Sequence, residues 1–213
     1  ATVKNKLETL GVTGAKQIFT SDYKNTQVGR MAEGEALGHF YVLKSLGIFQ
    51  SQSEVDNYKG KNGNIIQPNA VAGDLKFQDT NGDGVISADD RINAGNSFPQ
   101  FTYSLNASFT YGNFDANMMW SGSQGNKIFN GLTLGGKLMQ GSGYNNSVDI
   151  LDRWTPDHTN TDIPRVSIKD LNSNHTYNTF YIEDGSFLRM KYLSFGYTFN
   201  NKLLGSNISK LRV

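Results

Sequence analysis

The chain has no cysteine in its 213 residues. That excludes disulfides, thiolate zinc sites and thiol nucleophiles, but it excludes no compartment. Long apolar runs are also missing. Hydrophobic residues make up 37% of the chain and are dispersed, so no segment supplies the roughly 20 consecutive apolar residues of a spanning helix. A β-barrel remains open, because alternating strands look average by composition. Nor is there an excess charge of one sign. The formal net charge is +1 with Lys and Arg scattered, so a basic footprint for nucleic acid is lacking. Proline is scarce, four residues against 23 Gly, 13 Phe and 10 Tyr, which points to an aromatic, turn-rich β protein. There is no signal peptide, and Ala1-Thr2-Val3 lacks an initiator Met. The end, Ile208 to Val213, reads as the start of a strand. Both termini are therefore expected to be cuts in a longer protein, and missing targeting signals carry no meaning.

Catalytic signatures are thin as well. His39, His158 and His175 are far apart in sequence and read as structural or solvated residues. No Gly-x-Ser-x-Gly is present, and Gly135-Gly136 and Gly141-Ser142-Gly143 lack the Lys-Ser/Thr of a phosphate loop. Glu33 with Glu35, or Asp89 with Asp90, are sequence neighbours rather than carboxylates flanking a scissile bond. The expectation is a protein that is not an enzyme. Tyr144, Trp154, Tyr177 and Phe180 lie in polar stretches. They are read as loop core, the commoner fate, in preference to ligand contacts.

What is present is alternation. In FTYSLNASFTYGNFDANMMWSG, residues 101–122, the odd positions Phe101 to Tyr111 are all apolar or aromatic, and the even ones Thr102 to Thr110 all polar. Side chains alternate across a strand, so this stretch has one apolar and one polar face. Gly112-Asn113 suits a tight turn. The return strand carries Phe114, Ala116, Met118 and Trp120 in phase, with Met119 breaking the pattern. Eleven residues match the roughly 9–11 that cross a bilayer at a tilt, but a soluble sandwich hairpin reads the same way. FLRMKYLSFGYTF at 187–199 alternates in two phases, so a bulge is expected near Lys191. Residues 38–48 are strand-like without an assignable direction, and the first 36 residues are ambiguous. The stretches 50–98 and 123–186 are long, polar and rich in Gly, Asn and Ser. Short turns on one side and long connections on the other are the plan of outer-membrane barrels, which would place both long stretches outside the cell.

The strongest chemical motif runs from Asp79 to Asp90, DTNGDGVISADD. It fits the calcium-loop pattern of oxygen ligands at positions 1, 3 and 5 with Gly at 6, departing at position 12. Asp79, Asn81 and Asp83 can turn hard oxygens toward one cation while Gly84 permits the bend, with the Val85 carbonyl, Ser87 and Asp90 completing the shell. Asp90 is one methylene shorter than the usual Glu. GDLKF at 73–77 reads as extended, so this is a calcium loop in a β setting without the flanking helix of a sensor. Ser87 and Asp90 also suit the cap of a short helical turn.

GDLKFQDTNGDGVISADDRINAGNSFPQFTYSLNASFTYGNFDANMMWSG, at 73–122, resembles the late-barrel signature of SusC/RagA-like TonB-dependent outer-membrane transporters of Bacteroidetes. EGEALGHFYVLKSLGIFQSQSEV at 33–55, RWTPDHTNTDIPRV at 153–166 and YIEDGSFLRMKYLSFGYTF at 181–199 fit in the family's order. The resemblance implies an all-β fold: an antiparallel segment of a 22-stranded transmembrane β-barrel with long extracellular loops, lacking the plug domain and final strands. It implies a multi-pass position in the bacterial outer membrane, in contact with its lipid. It also implies TonB-dependent import of oligosaccharide or peptide, delivered by a SusD-like surface lipoprotein, with TonB engaged through a segment upstream of this chain. Calcium would be structural. The alternative, from another class, is a secreted calcium-stabilised β-sandwich that binds carbohydrate.

Overall fold

Strands carry most of the regular backbone. The computed structural model describes residues 6–11, 14, 16–23, 26–137, 145–200, 208 and 211–213. In chain order they form β1 (Gln17–Tyr23), β2 (Thr26–Ala32), β3 (His39–Leu43), β4 (Ser45–Ile48), α1 (Gln52–Asn57), β5 (Leu75–Phe77), β6 (Arg91–Asn96), β7 (Phe101–Tyr111), β8 (Phe114–Gln124), β9 (Lys127–Phe129), α2 (Gly131–Gly136), β10 (Ile182–Asp184) and β11 (Phe187–Tyr197). The two α-helices are six residues each, so the fold is all-β in character. The chain divides into two compact units, Val3–Phe98 with Lys127–Glu183, and Pro99–Asn126 with Asp184–Val213.

The second of these units is one antiparallel sheet in the order β11-β8-β7. β7 and β8 pair without a slip, from Phe101 opposite Gln124 to Tyr111 opposite Phe114. Gly112 turns the corner at φ +59°, which glycine takes at no steric cost in a two-residue hairpin. The expected bulge lies where the sequence places it: Met190 faces Trp120 and Tyr192 faces Met119, so Lys191 is the extra residue. This one insertion unites the two phases of β11. Leu188 and Met190 before it share a face with Leu193, Phe195 and Tyr197 after it. The same face continues across Ala116, Met118 and Trp120 to Leu105, Ala107 and Phe109. Met119 and Tyr192 point to the other side, which explains the interruption in β8. Gly122 sits on the apolar face opposite Tyr103 and leaves room for that ring, which any Cβ there would overlap. The apolar face is uncovered: Leu105 is 60% exposed and Phe195 76%.

In the other unit the sheet order is β1-β2-β3-β6. The strand-like stretch 38–48 breaks at Lys44 into β3, antiparallel to both β2 and β6, and β4, which pairs with β5. Of 208–213, Arg212 makes an isolated bridge to Thr198 and an ion pair with Asp115; 209 and 210 lie outside the described residues. Core clusters form around Val42, Leu134 and Tyr181, around Leu43, Leu75, Phe77 and Trp154, and around Phe49, Val55 and Ala70. Trp154 and Tyr177 are thus loop core, as expected; Tyr144 lies outside the described residues.

β5 is three residues long, and side-chain amides take the place of a strand along one of its edges. Gln67 donates to the Leu75 carbonyl at 3.0 Å and accepts from the Phe77 amide at 2.7 Å. Asn172 donates to the same carbonyl, and Asn174 accepts from the Leu75 amide at 2.9 Å. Buried backbone groups need partners, and here three polar side chains supply them. Beside them the fully buried carboxylate of Asp74 accepts from Arg165 Nε at 2.7 Å, from Asn174 at 2.9 Å and from the Val71 amide at 2.9 Å. Gly73 stands at φ +91°, and a Cβ there would overlap the Trp154 indole and come within 2.8 Å of Arg165 Cβ. The motif residues Gly73, Asp74, Trp154 and Arg165 therefore meet at one place.

Removing one partner from a buried charge costs far more than breaking a surface pair. Arg165→Met is expected to lower the stability of this unit by about 3–5 kcal/mol in denaturant unfolding. Lys137→Met, which breaks a half-exposed pair with Asp149 at 3.7 Å, is expected to cost about 0–1 kcal/mol. Equal losses would show that Asp74 is not held as described.

Candidate functional site: an acidic loop closed on its own amides

The loop 79–90 is organised by short side-chain to backbone bonds. Asp79 accepts from the amides of Gly82 at 2.7 Å and Gly84 at 2.9 Å. Asn81 accepts from the Asp83 amide at 2.8 Å, and Asp83 from the Val85 amide at 2.9 Å. These are Asx-type turns, which Asp and Asn form because a short acceptor side chain reaches an amide two residues on. Gly82 and Gly84 both hold positive φ, 78° and 90°, as the sharp bend requires.

Asp90 does something different. It is fully buried and spans the loop, accepting from Thr80 at 2.8 Å, Asn81 at 3.3 Å and Ser87 at 2.8 Å. With Ser87 it forms a capping box on the short 3-10 turn Ala88–Asp90, the helical turn that the sequence indicates. Val85 exposes its side chain. All six residues named as oxygen ligands thus lie in one ordered loop. Asp79 and Asp90 each have both carboxylate oxygens engaged by backbone amides, and the Asn81 side-chain amide donates to Asp83 at 3.0 Å. Among the described residues no three His, Asp or Glu side chains gather into a metal-holding group. The Tyr58 hydroxyl donates to the Phe77 carbonyl at 2.6 Å. Burial, with the neighbouring Asp79 and Asp90 carboxylates, pushes its pKa up.

The histidines are structural. His39 is buried between the Ala36 carbonyl and Glu35, while His158 pairs with Asp152 at 2.7 Å and His175 with Asp170. Asp170 organises the turn 170–175, accepting from the amides of Asn174 and His175. Its half-burial opposes ionisation, yet the bonds from the His175 side chain and from those two amides outweigh it and hold its pKa below the usual carboxylate range. Sequence reasoning missed the cluster of Gln67, Asn172 and Asn174. Its one signal is a density of Asn in a stretch without alternation.

No protein-family model matches the chain. Two Formosa agariphila proteins are similar to it: TonB-dependent receptor P3, 37% identical over 85% of this chain, and TonB-dependent receptor P26, 30% identical over 91%. The chain spans about a fifth of the length of these relatives, 17% and 19%. Among solved structures, the RagAB peptide importer in its "open-open" state matches over 97% of this chain and 20% of its own, with a TM-score of 0.63 and 20% identity. The RagAB peptide transporter matches over 94% with a TM-score of 0.61 at the same identity. At that identity the likeness shows the fold alone.

A carboxylate with a depressed folded-state pKa stabilises above its unfolded value and loses that contribution as pH falls. Hydrogen exchange of the 170–176 amides is therefore expected to accelerate as pH drops from neutral through about 4 and below, after correction for intrinsic rates. Asp170→Asn is expected to flatten that dependence. An unchanged profile in the variant would remove Asp170 as its source.

Proposed function

Since the chain belongs with the TonB-dependent receptors, we propose that it forms barrel wall and extracellular loops of a SusC/RagA-like outer-membrane importer. The observation that carries this reading is the three-stranded sheet of the second unit. Its strands β7, β8 and β11 are each 11 residues long. At ~3.3 Å per residue and a tilt near 45°, such strands rise about 25 Å, the height of a barrel's apolar band. One face is apolar from edge to edge and exposed; the other carries Thr102, Ser104, Asn106, Ser108 and Thr110. Lipid outside and water inside account for both. A secreted sandwich would cover the apolar face with a second sheet, and among the described residues it stays exposed.

In this reading the sheet is part of a closed 22-stranded barrel. The Gly112-Asn113 turn is periplasmic, and the stretches 50–98 and 123–186 lie outside the cell. The whole protein takes up oligosaccharide or peptide handed over by a SusD-like surface lipoprotein, with TonB supplying the energy. The relatives' receptor names support a role without catalysis. Outer-membrane recovery of the full-length protein, with gel mobility that changes on boiling, tests the reading; recovery in a soluble fraction overturns it.

We also propose that the acidic loop takes up a structural calcium ion. The donor set supports it: oxygens of Asn81 and Asp83, the Val85 carbonyl, Ser87, and Asp79 and Asp90, each in exchange for part of its amide bonding. Calorimetry on the full-length protein is expected to show calcium uptake that Asp79→Ala abolishes. No heat at about millimolar calcium, the weak end of such loops, would leave the loop self-capped and metal-free.

For the sheet, Leu105→Arg is expected to destabilise the barrel by about 2–4 kcal/mol when facing mid-bilayer. Asn106→Arg, on the polar face, is expected to cost much less. Equal costs in refolding into lipid vesicles would contradict a lipid-facing register.

A further inference from the structure

Beside the acidic loop, within the first unit, lies a cavity of about 440 Å³, in the range of small-molecule sites. Its floor includes Leu43 and Phe77, buried core residues. Loop residues 85–88 form one side and residues 171–176 another. Neither side is loose: Asp90 and its capping box tie the first, and Asp170 with the Gln67–Asn172 bond ties the second.

The chemistry of the lining is one-sided. Arg91 is the single charged side chain among the lining residues, and no carboxylate lines the cavity. The nearby Asp90 turns its oxygens to the amides of Thr80, Asn81 and Ser87. The amides of Gln67 and Asn172 are engaged with β5. Arg91 is anchored by its backbone, opposite Leu43 on β3 and bonded to the Ala88 carbonyl, while its guanidinium meets no carboxylate among the described residues. The groups left to meet a ligand are that five-donor fork, the side-chain amide of Asn69, the hydroxyls of Ser173 and Thr176, and the hydroxyl hydrogen of Ser87, whose oxygen accepts from the Asp89 amide. A planar cation with no carboxylate among the lining residues, flanked by neutral polar groups over an apolar floor, suits a carboxylate carried on a carbon skeleton.

We propose that this cavity is a binding site for a carboxylate-bearing ligand, with Arg91 gripping the carboxylate and the floor around Leu43 and Phe77 receiving its apolar part. Such a carboxylate has two sources, a peptide terminus or a sugar acid. The test is calorimetric titration of the full-length receptor in detergent with N-acetyl-leucine, with galacturonate, and with N-acetyl-leucine amide as the uncharged control. At least one of the two acids is expected to bind with a Kd in the millimolar range or tighter, the amide roughly tenfold or more weakly. N-acetyl-leucine alone identifies a peptide source and galacturonate alone a sugar acid; both together identify the carboxylate itself as the recognised group. Arg91→Met is expected to weaken binding by roughly tenfold or more, with Arg91→Lys between it and the unaltered protein. Should Arg91→Met fail to fold, Val85→Trp, at an exposed lining position, is expected to abolish binding by filling the cavity. Failure of both acids to bind, equal binding of the amide, or retention of affinity in Arg91→Met or Val85→Trp would overturn the proposal.

Discussion

An apolar sheet face that nothing covers among the described residues is the constraint from which the rest follows. A few exposed hydrophobic side chains are ordinary on any protein, but a contiguous face running through Leu105, Phe109, Met118, Leu193 and Phe195 is not. Water does not tolerate such a surface, and a three-stranded sheet offers no second layer to bury it. The strand lengths, the unbroken β7–β8 register and the bulge at Lys191 all serve to keep that face continuous. The bulge is informative because without it β11 would turn Leu188 and Met190 to the polar side. In the proposed reading a lipid-facing wall satisfies the face, and the polar reverse then belongs to a wet interior.

The other unit solves the opposite problem, how to order long polar stretches with little apolar material. It does so with buried polar groups matched to polar partners, Asn146 Oδ1 being an exception among the described residues. Asp74 is the clearest case: a carboxylate removed from water, acceptable because Arg165, Asn174 and the Val71 amide all meet it. Around it the amides of Gln67, Asn172 and Asn174 close an edge of β5 that would otherwise leave unpaired backbone in the core. The acidic loop repeats the device on a smaller scale with Asp79 and Asp90. A carboxylate or amide at each crossing fixes loop geometry that hydrophobic contacts alone would leave loose.

Local features were legible in the sequence. Strict alternation read out β7 and β8, a change of phase marked the bulge, GDLKF read as extended where only Leu75–Phe77 is a strand and Gly73 turns, and Ser87 with Asp90 marked a short capped turn. Each is a rule acting over a few residues. The β1–β2 hairpin was not legible, because QIFTSDY and TQVGRMA carry no clean period. The direction of 38–48 was not legible either; it is set by pairing with β2 and with β6, about 50 residues away. Least visible was the polar hub. Asn174 meets Leu75 across 99 residues and Arg165 meets Asp74 across 91, and an amide that bonds distant backbone leaves no local signature. The quoted motifs contain Gly73, Asp74 and Arg165 but not Gln67, Asn172 or Asn174, and only the fold shows why Gly73 must be Gly and what Arg165 holds.

The most direct measurement of the central claim is fluorescence quenching along β7 in the full-length protein reconstituted in lipid. Single cysteines at Leu105, Asn106, Ser108 and Phe109 would be labelled and exposed in turn to a quencher carried on lipid tails and to one confined to water. The account predicts that labels at 105 and 109 respond to the lipid-borne quencher and labels at 106 and 108 to the aqueous one. Aqueous quenching at all four positions would contradict a membrane-facing sheet.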